Sequence, residues 1–226
     1  MKKPVVDYRR FRLSRLNEPE FAHLKLLGWW LVYFALFFLT ENFIPLESCH
    51  VIHCRLDDVI PFCEYFLIPY VLWYVLVAGS LLYFALYNID SFRRLQIFLT
   101  ITQLVAMAIY ILYPNRQDLR PESFANDNLF TWGLGLLYRF DTNSNVCPSL
   151  HAAYSLGIAS VWSKEKGVSP WVKGGIWAFA LLVCASTTLV KQHSAVDVFL
   201  AVPVCLLAEG IVYKDFWRNR LRVRIK

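Results

Sequence analysis

FLIPYVLWYVLVAGSLLYFALY, residues 66–87, runs for 22 positions without a charged side chain. A helix rises about 1.5 Å per residue, so this stretch is long enough to cross the ~30 Å hydrocarbon core of a bilayer. Working outward, further apolar runs at 26–44, 95–113, 148–163, 171–189 and 193–213 bring the number of predicted spans to six. The runs at 148–163 and 193–213 carry polar residues, gathered at one end where a wet cavity can take them. The composition agrees: 57% of the residues are hydrophobic, 18% are charged and the mean hydropathy is +0.42. A soluble domain carries about 25% charged residues. Disordered, collagen-like and coiled-coil chains are excluded, and a soluble globule is disfavoured. The expected fold is an all-α polytopic membrane protein: a basic segment 1–25, a six-span domain 26–213 and a basic tail 214–226.

The net charge is +6 from 23 Lys and Arg against 17 Asp and Glu. On six spans, all the positive residues but Arg55, Arg116, Arg120, Arg139 and Lys191 fall on the side that holds both termini. The excess of Lys and Arg in cytoplasmic loops puts both termini in the cytoplasm. The basic ends then read as topological anchors at anionic headgroups, and no nucleic-acid partner is expected. The first run lacks a small-residue cleavage site, so it reads as an uncleaved span. Trp29, Trp132, Trp162, Trp171 and Trp217 fall near span ends, as interfacial belts do.

Cys49, Cys54, Cys63 and Cys147 lie on the non-cytoplasmic side, where disulfides form, and four cysteines allow three full pairings. The run Cys49-His-Val-Ile-His53-Cys54 offers zinc-type ligands without the usual finger spacing. Cys184 and Cys205 fit as small buried residues within spans.

Three polar segments converge on that same side: Tyr113 to Pro121, Asp141 to His151 and Ser186 to Asp197. Pro148 suits a first helical position, and the free N–H groups around Ser149, Leu150 and His151 would then form an anion site. His193 and Asp197 are four apart and would share a helix face, where the carboxylate fixes the imidazole tautomer and frees the other nitrogen as nucleophile or base. His151 would be the general acid. Arg120 and Lys191 bring positive charge, and Arg120 can grip two phosphate oxygens. Taken singly, each of these has a bland reading as a helix start, an i, i+4 pair or an interfacial anchor.

Arg120-Pro121, Pro148-Ser149-Leu150-His151 and Ser186 with His193 and Asp197 resemble the three-part motif of the type 2 phosphatidic acid phosphatase superfamily. The resemblance covers about 66–213. It implies a six-span membrane core with cytoplasmic ends, metal-independent and cofactor-free phosphoryl transfer, and a phosphohistidine on His193. Asp197 would orient His193, His151 would protonate the leaving oxygen, and Arg120, Ser149 and Ser186 would hold the phosphate. Tyr113 stands where the family usually has Lys, and Thr187 where it usually has Arg; Lys191 is the expected replacement, ahead of Arg116. Leu150, with Asp141 and Asn145, is similar to the inositol phosphorylceramide synthase-like branch, which transfers the headgroup to an alcohol. Asp141 and Asn145 would orient that acceptor or, more simply, cap the fourth span.

The expected activity is hydrolysis of a lipid phosphate or pyrophosphate at the outer face of a cytoplasmic membrane. The alternatives are transfer to an alcohol, a non-catalytic lipid-phosphate binder or transporter, and a metal site built from His151, His193 and Asp197. The absent sequons and the Asn145-Val-Cys-Pro-Ser wording resemble bacterial chains.

Overall fold

The computed structural model describes residues 3–216. Lys2, Trp217, Arg218, Arg220, Arg222, Arg224 and Lys226, assigned above to topology or to an interfacial belt, lie outside the described residues. The architecture is all-α, with eight helices among the described residues: α1 (Gly28–Phe43), α2 (Arg55–Val59), α3 (Leu67–Tyr87), α4 (Ile89–Leu112), α5 (Leu129–Phe140), α6 (Leu150–Lys164), α7 (Pro170–Leu189) and α8 (Ala195–Val212). Among the described residues, strands are confined to β1 (His50–Val51) and β2 (Asn115–Arg116), a two-residue parallel pair.

Among the described residues, five segments are long and apolar enough to cross a membrane: α1 with the 3-10 turn before it, α3 with the turn before it, α4, α7 and α8. Phe34, Leu82, Leu112, Trp171, Phe199 and Leu206 are exposed on the described surface. Water would penalise so much exposed apolar surface, whereas lipid tails solvate it.

The fourth expected span differs. Helix α6 has 15 residues, about 22 Å of rise. It packs against α3, α4, α7 and α8, and ten of its residues are buried. Small residues permit this central position. Gly157 lies so close to the Phe98 ring that a Cβ there would clash with it. The expected belt residue Trp162 is a core residue instead, 8% exposed and donating Nε1–H to Ser80 Oγ at 3.0 Å. Its ring stacks among Tyr83 and Phe84, a better home for a large apolar surface with a satisfied N–H.

The N-terminal segment is more than a basic anchor. Phe21 and His23 are buried, Tyr8 Oη bonds His23 Nε2 at 2.7 Å, and the Val5 N–H donates to the Leu86 carbonyl. Helix α1 packs on α4, to which Trp29 and Trp30 donate through Gln103 and Gln96.

Ends of α1, α3, α4, α6, α7 and α8 meet at one pole, where the polar loops interlock. There β1 pairs with β2, and Arg116 bridges to Ser144. Asn115 is fully buried between them. Its Oδ1 accepts from the N–H groups of Val146 and Cys147, and its Nδ2 donates to the Cys147 carbonyl. One amide side chain thus fixes the strand of chain that delivers Ser149 and His151.

Candidate active site

Helix α8 begins later than the i, i+4 reading assumed. Ser194 is its N-cap and Ala195 its first residue, so His193 lies before the helix. Asp197 is the third helical residue, and its carboxylate closes a capping box by accepting from the Ser194 N–H at 2.9 Å. The same oxygen, Oδ2, is 3.2 Å from His193 Nδ1. The expected pairing therefore exists, produced by a cap instead of a shared helix face. An acceptor at Nδ1 assigns the proton there and leaves Nε2 with the lone pair.

Helix α6 also starts later than expected. Ser149 is its N-cap, accepting from the Ala152 N–H at 3.3 Å, and Pro148 precedes it. The Ser149 N–H is taken by the Asp197 carbonyl at 3.0 Å, which ties the start of α6 to the first turn of α8. The first-turn N–H groups of Leu150 and His151 have no acceptor within the helix. Since Ser149 caps α6, the capping role expected of Asp141 and Asn145 does not hold. Asp141 follows α5, and its Oδ2 accepts from Tyr70 Oη and Gln192 Nε2, both at 2.8 Å. Asn145, with φ near 56°, donates Nδ2–H to Thr40 Oγ1 on α1.

His151 lies against Trp73 and Tyr70 of α3, with ring centroids 4.2 and 4.5 Å away. Its Nε2 is buried without a hydrogen-bond partner. The His193 ring is 5.6 Å from it. Both histidines open on a cavity of about 430 Å³, within the range of small-molecule sites. Its polar end holds Asp141, Asn145, Gln192 and the histidines, and its apolar part lies among Trp30, Tyr33, Phe34, Tyr74 and Val77. Those apolar residues belong to α1 and α3, which are not a closely packed pair. The cavity occupies the space between them.

The expected phosphate ligands sit elsewhere. Arg120 is turned toward backbone: Nη1 donates to the Tyr138 carbonyl at 3.1 Å, and Nη2 to the carbonyls of Asp141 and Thr142 at 2.6 and 2.8 Å. Its guanidinium also covers the Tyr138 ring at 4.5 Å. Burial lowers its pKa, with Asp141 opposing the shift. Lys191, in a left-handed conformation with φ near 54°, donates Nζ–H to the carbonyls of Asp57 and Ile60. Burial likewise lowers its pKa, against the charges of Asp57 and Asp58. Ser186 is fully buried and bonds back to the Val183 carbonyl. None of these three lines the cavity. Tyr113 stacks on His50 at 4.0 Å, Thr187 bonds the Cys184 carbonyl, and Arg116 is taken by Asp118 and the Leu46 carbonyl.

Reading the sequence missed Asp57, on α2. Its Oδ1 accepts from the Ala195 N–H at 2.7 Å, and its Oδ2 from Ser194 Oγ at 2.5 Å and the Cys54 N–H at 2.8 Å. Burial works to raise its pKa, but these bonds outweigh it and hold the carboxyl below its ordinary value. A buried acid in the loop between α1 and α3 has no local signature, because all of its α8 partners lie more than 130 residues away.

All six cysteines are free thiols, and burial pushes the Cys147 thiol up to about 12. Among the described residues, no cluster of three or more His, Cys, Asp or Glu side chains is arranged to hold a metal ion. Compared with known proteins, the chain matches no family model, no curated protein and no solved structure.

Proposed function

We propose that this protein is a membrane-embedded phosphoryl-transfer enzyme that attacks a lipid-linked phosphate through His193. The observation that carries the reading is the pair of histidines at one cavity: His193 oriented by Asp197 through Nδ1, and His151 with an unpartnered Nε2.

The His193 Nε2 lone pair forms an N–P bond as the bond from phosphorus to the leaving oxygen breaks. Protonated His151 passes its Nε2 proton to that oxygen. Water then gives a proton to His151 and its oxygen to phosphorus, and the N–P bond breaks, releasing phosphate from a monoester or a phosphomonoester from a diester and restoring both histidines. Asp197 keeps His193 in the reactive tautomer and offsets charge on the ring. The open first-turn N–H groups of Leu150 and His151, at the positive end of α6, are suited to the equatorial oxygens. The gap between α1 and α3 suits a lipid whose tail stays in the bilayer.

In this reading α6 is a sixth crossing sheltered inside five lipid-facing ones. Both termini are cytoplasmic, the site lies at the outer face, and the host is bacterial. A second reading, transfer to an alcohol, is favoured by Asn145 and Gln192, which line the cavity and are not needed to cap α6. Purified protein supplied with lipid phosphates and pyrophosphates, with and without alcohols, tests both readings through free phosphate and new diesters. A His193→Ala variant with undiminished turnover would overturn both, and loss of turnover to chelator with stoichiometric zinc would replace them with a metal mechanism.

A further inference from the structure

We propose that the cavity recognises a zwitterionic headgroup, a phosphodiester bearing a quaternary ammonium, in preference to a phosphate monoester. This inference rests on the phosphoryl-transfer reading of the same site and names its substrate class.

Asp141 places a carboxylate in the lining of the cavity, and among the described residues no Lys or Arg lines it. The two nearby cations are turned away: Arg120 donates to three carbonyls and Lys191 to two. A phosphate monoester brings a charge of about −1.5 to −2 at neutral pH. Sites for such groups supply Arg or Lys as direct donors. Here the donors at the polar end are the neutral first-turn N–H groups of α6, the amides of Asn145 and Gln192, and the histidines, while Asp141 repels. A diester carries a single negative charge, which these groups can hold.

The aromatic lining points the same way. Trp30, Tyr33, Phe34, Trp73 and Tyr74 contribute rings to the lining of the cavity that Asp141 also lines. Ring faces attract a quaternary ammonium through their quadrupoles, most strongly where water is excluded. An apolar tail alone would be served equally by Leu, Ile and Val. The carboxylate is also held in place: both of its hydrogen bonds, from Tyr70 and Gln192, go to Oδ2. Neither of these bonds uses Oδ1.

Binding without turnover separates this proposal from the catalytic one. The full chain in dodecyl maltoside is titrated with hexadecylphosphocholine and with hexadecyl phosphate, probes that share a tail, and followed by tryptophan emission, since Trp30 and Trp73 line the cavity. The phosphocholine should bind about tenfold or more tightly than the phosphate. Asp141→Asn should bring the two within about twofold. Tyr74→Leu should weaken the phosphocholine about threefold and leave the phosphate unchanged. Tyr74 is half exposed, so this variant settles the question if Asp141→Asn does not fold. Equal or tighter binding of hexadecyl phosphate overturns the proposal, as does a preference that is undiminished in whichever of these variants folds. If His193→Ala still turns over, the catalytic reading falls while the headgroup preference stands. If turnover depends on His193 but the preference is missing, the headgroup proposal falls and the catalytic reading stands.

Discussion

Asp57 and Ala195 are 138 positions apart, yet the Asp57 carboxylate accepts the first N–H of α8 at 2.7 Å. A second oxygen takes the hydroxyl of Ser194, whose own backbone N–H donates to Asp197. The loop between α1 and α3 therefore sets where His193 and Asp197 stand. Asp57→Asn should lower kcat about ten- to a hundredfold through misplacement of the nucleophile, with a smaller change in KM. Asp57→Ala should further destabilise the protein by about 1.5–3 kcal/mol, as removal of a charged acceptor from buried donors does. Steady-state kinetics and thermal unfolding in detergent check both. Unchanged kcat in a folded Asp57→Asn protein would refute the positioning role.

The pH dependence of that link has a definite sign. The Asp57 carboxyl is held below its ordinary value in the folded state, so its contribution to stability is complete above the unfolded value of about 3.9. It fades as pH falls through the lower, folded value. Melting curves between pH 3 and 7 should converge for wild type and Asp57→Asn at the acidic end. Curves that instead converge near neutrality would contradict this assignment.

Asp197→Asn removes the acceptor that fixes the His193 tautomer and should reduce turnover by about two to four orders of magnitude. His151→Ala should slow alkyl esters much more than p-nitrophenyl esters, whose leaving group departs without a proton. Equal losses on the two substrates would show that His151 binds and does not protonate.

Lys191 tests the alternative places for positive charge. Its two carbonyl partners at the end of α2 make it a tie between loops, so Lys191→Ala should lower the unfolding temperature and leave the apparent vanadate affinity within about twofold. A large loss of vanadate affinity in a stable Lys191→Ala protein would return the residue to the phosphate site.

Packing around the central helix is equally open to test. Gly157→Ala forces a methyl into the Phe98 ring and should destabilise by about 1–3 kcal/mol. Gly79→Ala, where nothing lies within 4 Å, should be neutral or slightly stabilising. Paired thermal melts compare them.

Apolar runs made the membrane helices legible, because lipid demands about 20 continuous apolar residues and leaves a plain trace in sequence. The outer limits of α3 and α8 fell within two residues of the apolar runs that predicted them. Helix α4 starts six residues before its run, at Ile89, because Asn88 caps it and its charged first turns remain helical. His151, His193 and Asp197 were legible as a set. Their local geometry was not, since a cap at Ser194 and one at Ser149 moved both helix starts. The partners of Arg120 and Lys191 were hidden for a different reason. A cation's acceptor is decided by whichever carbonyls the loops present, and those loops are joined across the chain by Asn115, Asp57 and Tyr70.

The shortness and burial of α6 also bear on how the chain is made. A 15-residue helix enclosed by α3, α4, α7 and α8 offers the bilayer little surface of its own and falls short of the hydrocarbon thickness. It is therefore a poor candidate for insertion by itself as it leaves the ribosome. Its neighbour α7, 20 residues long and broadly lipid-facing, follows after a turn of only five residues. The two enter the membrane most readily as one hairpin, which couples assembly of the His151 side of the cavity to synthesis of a helix that contributes no side chain to it.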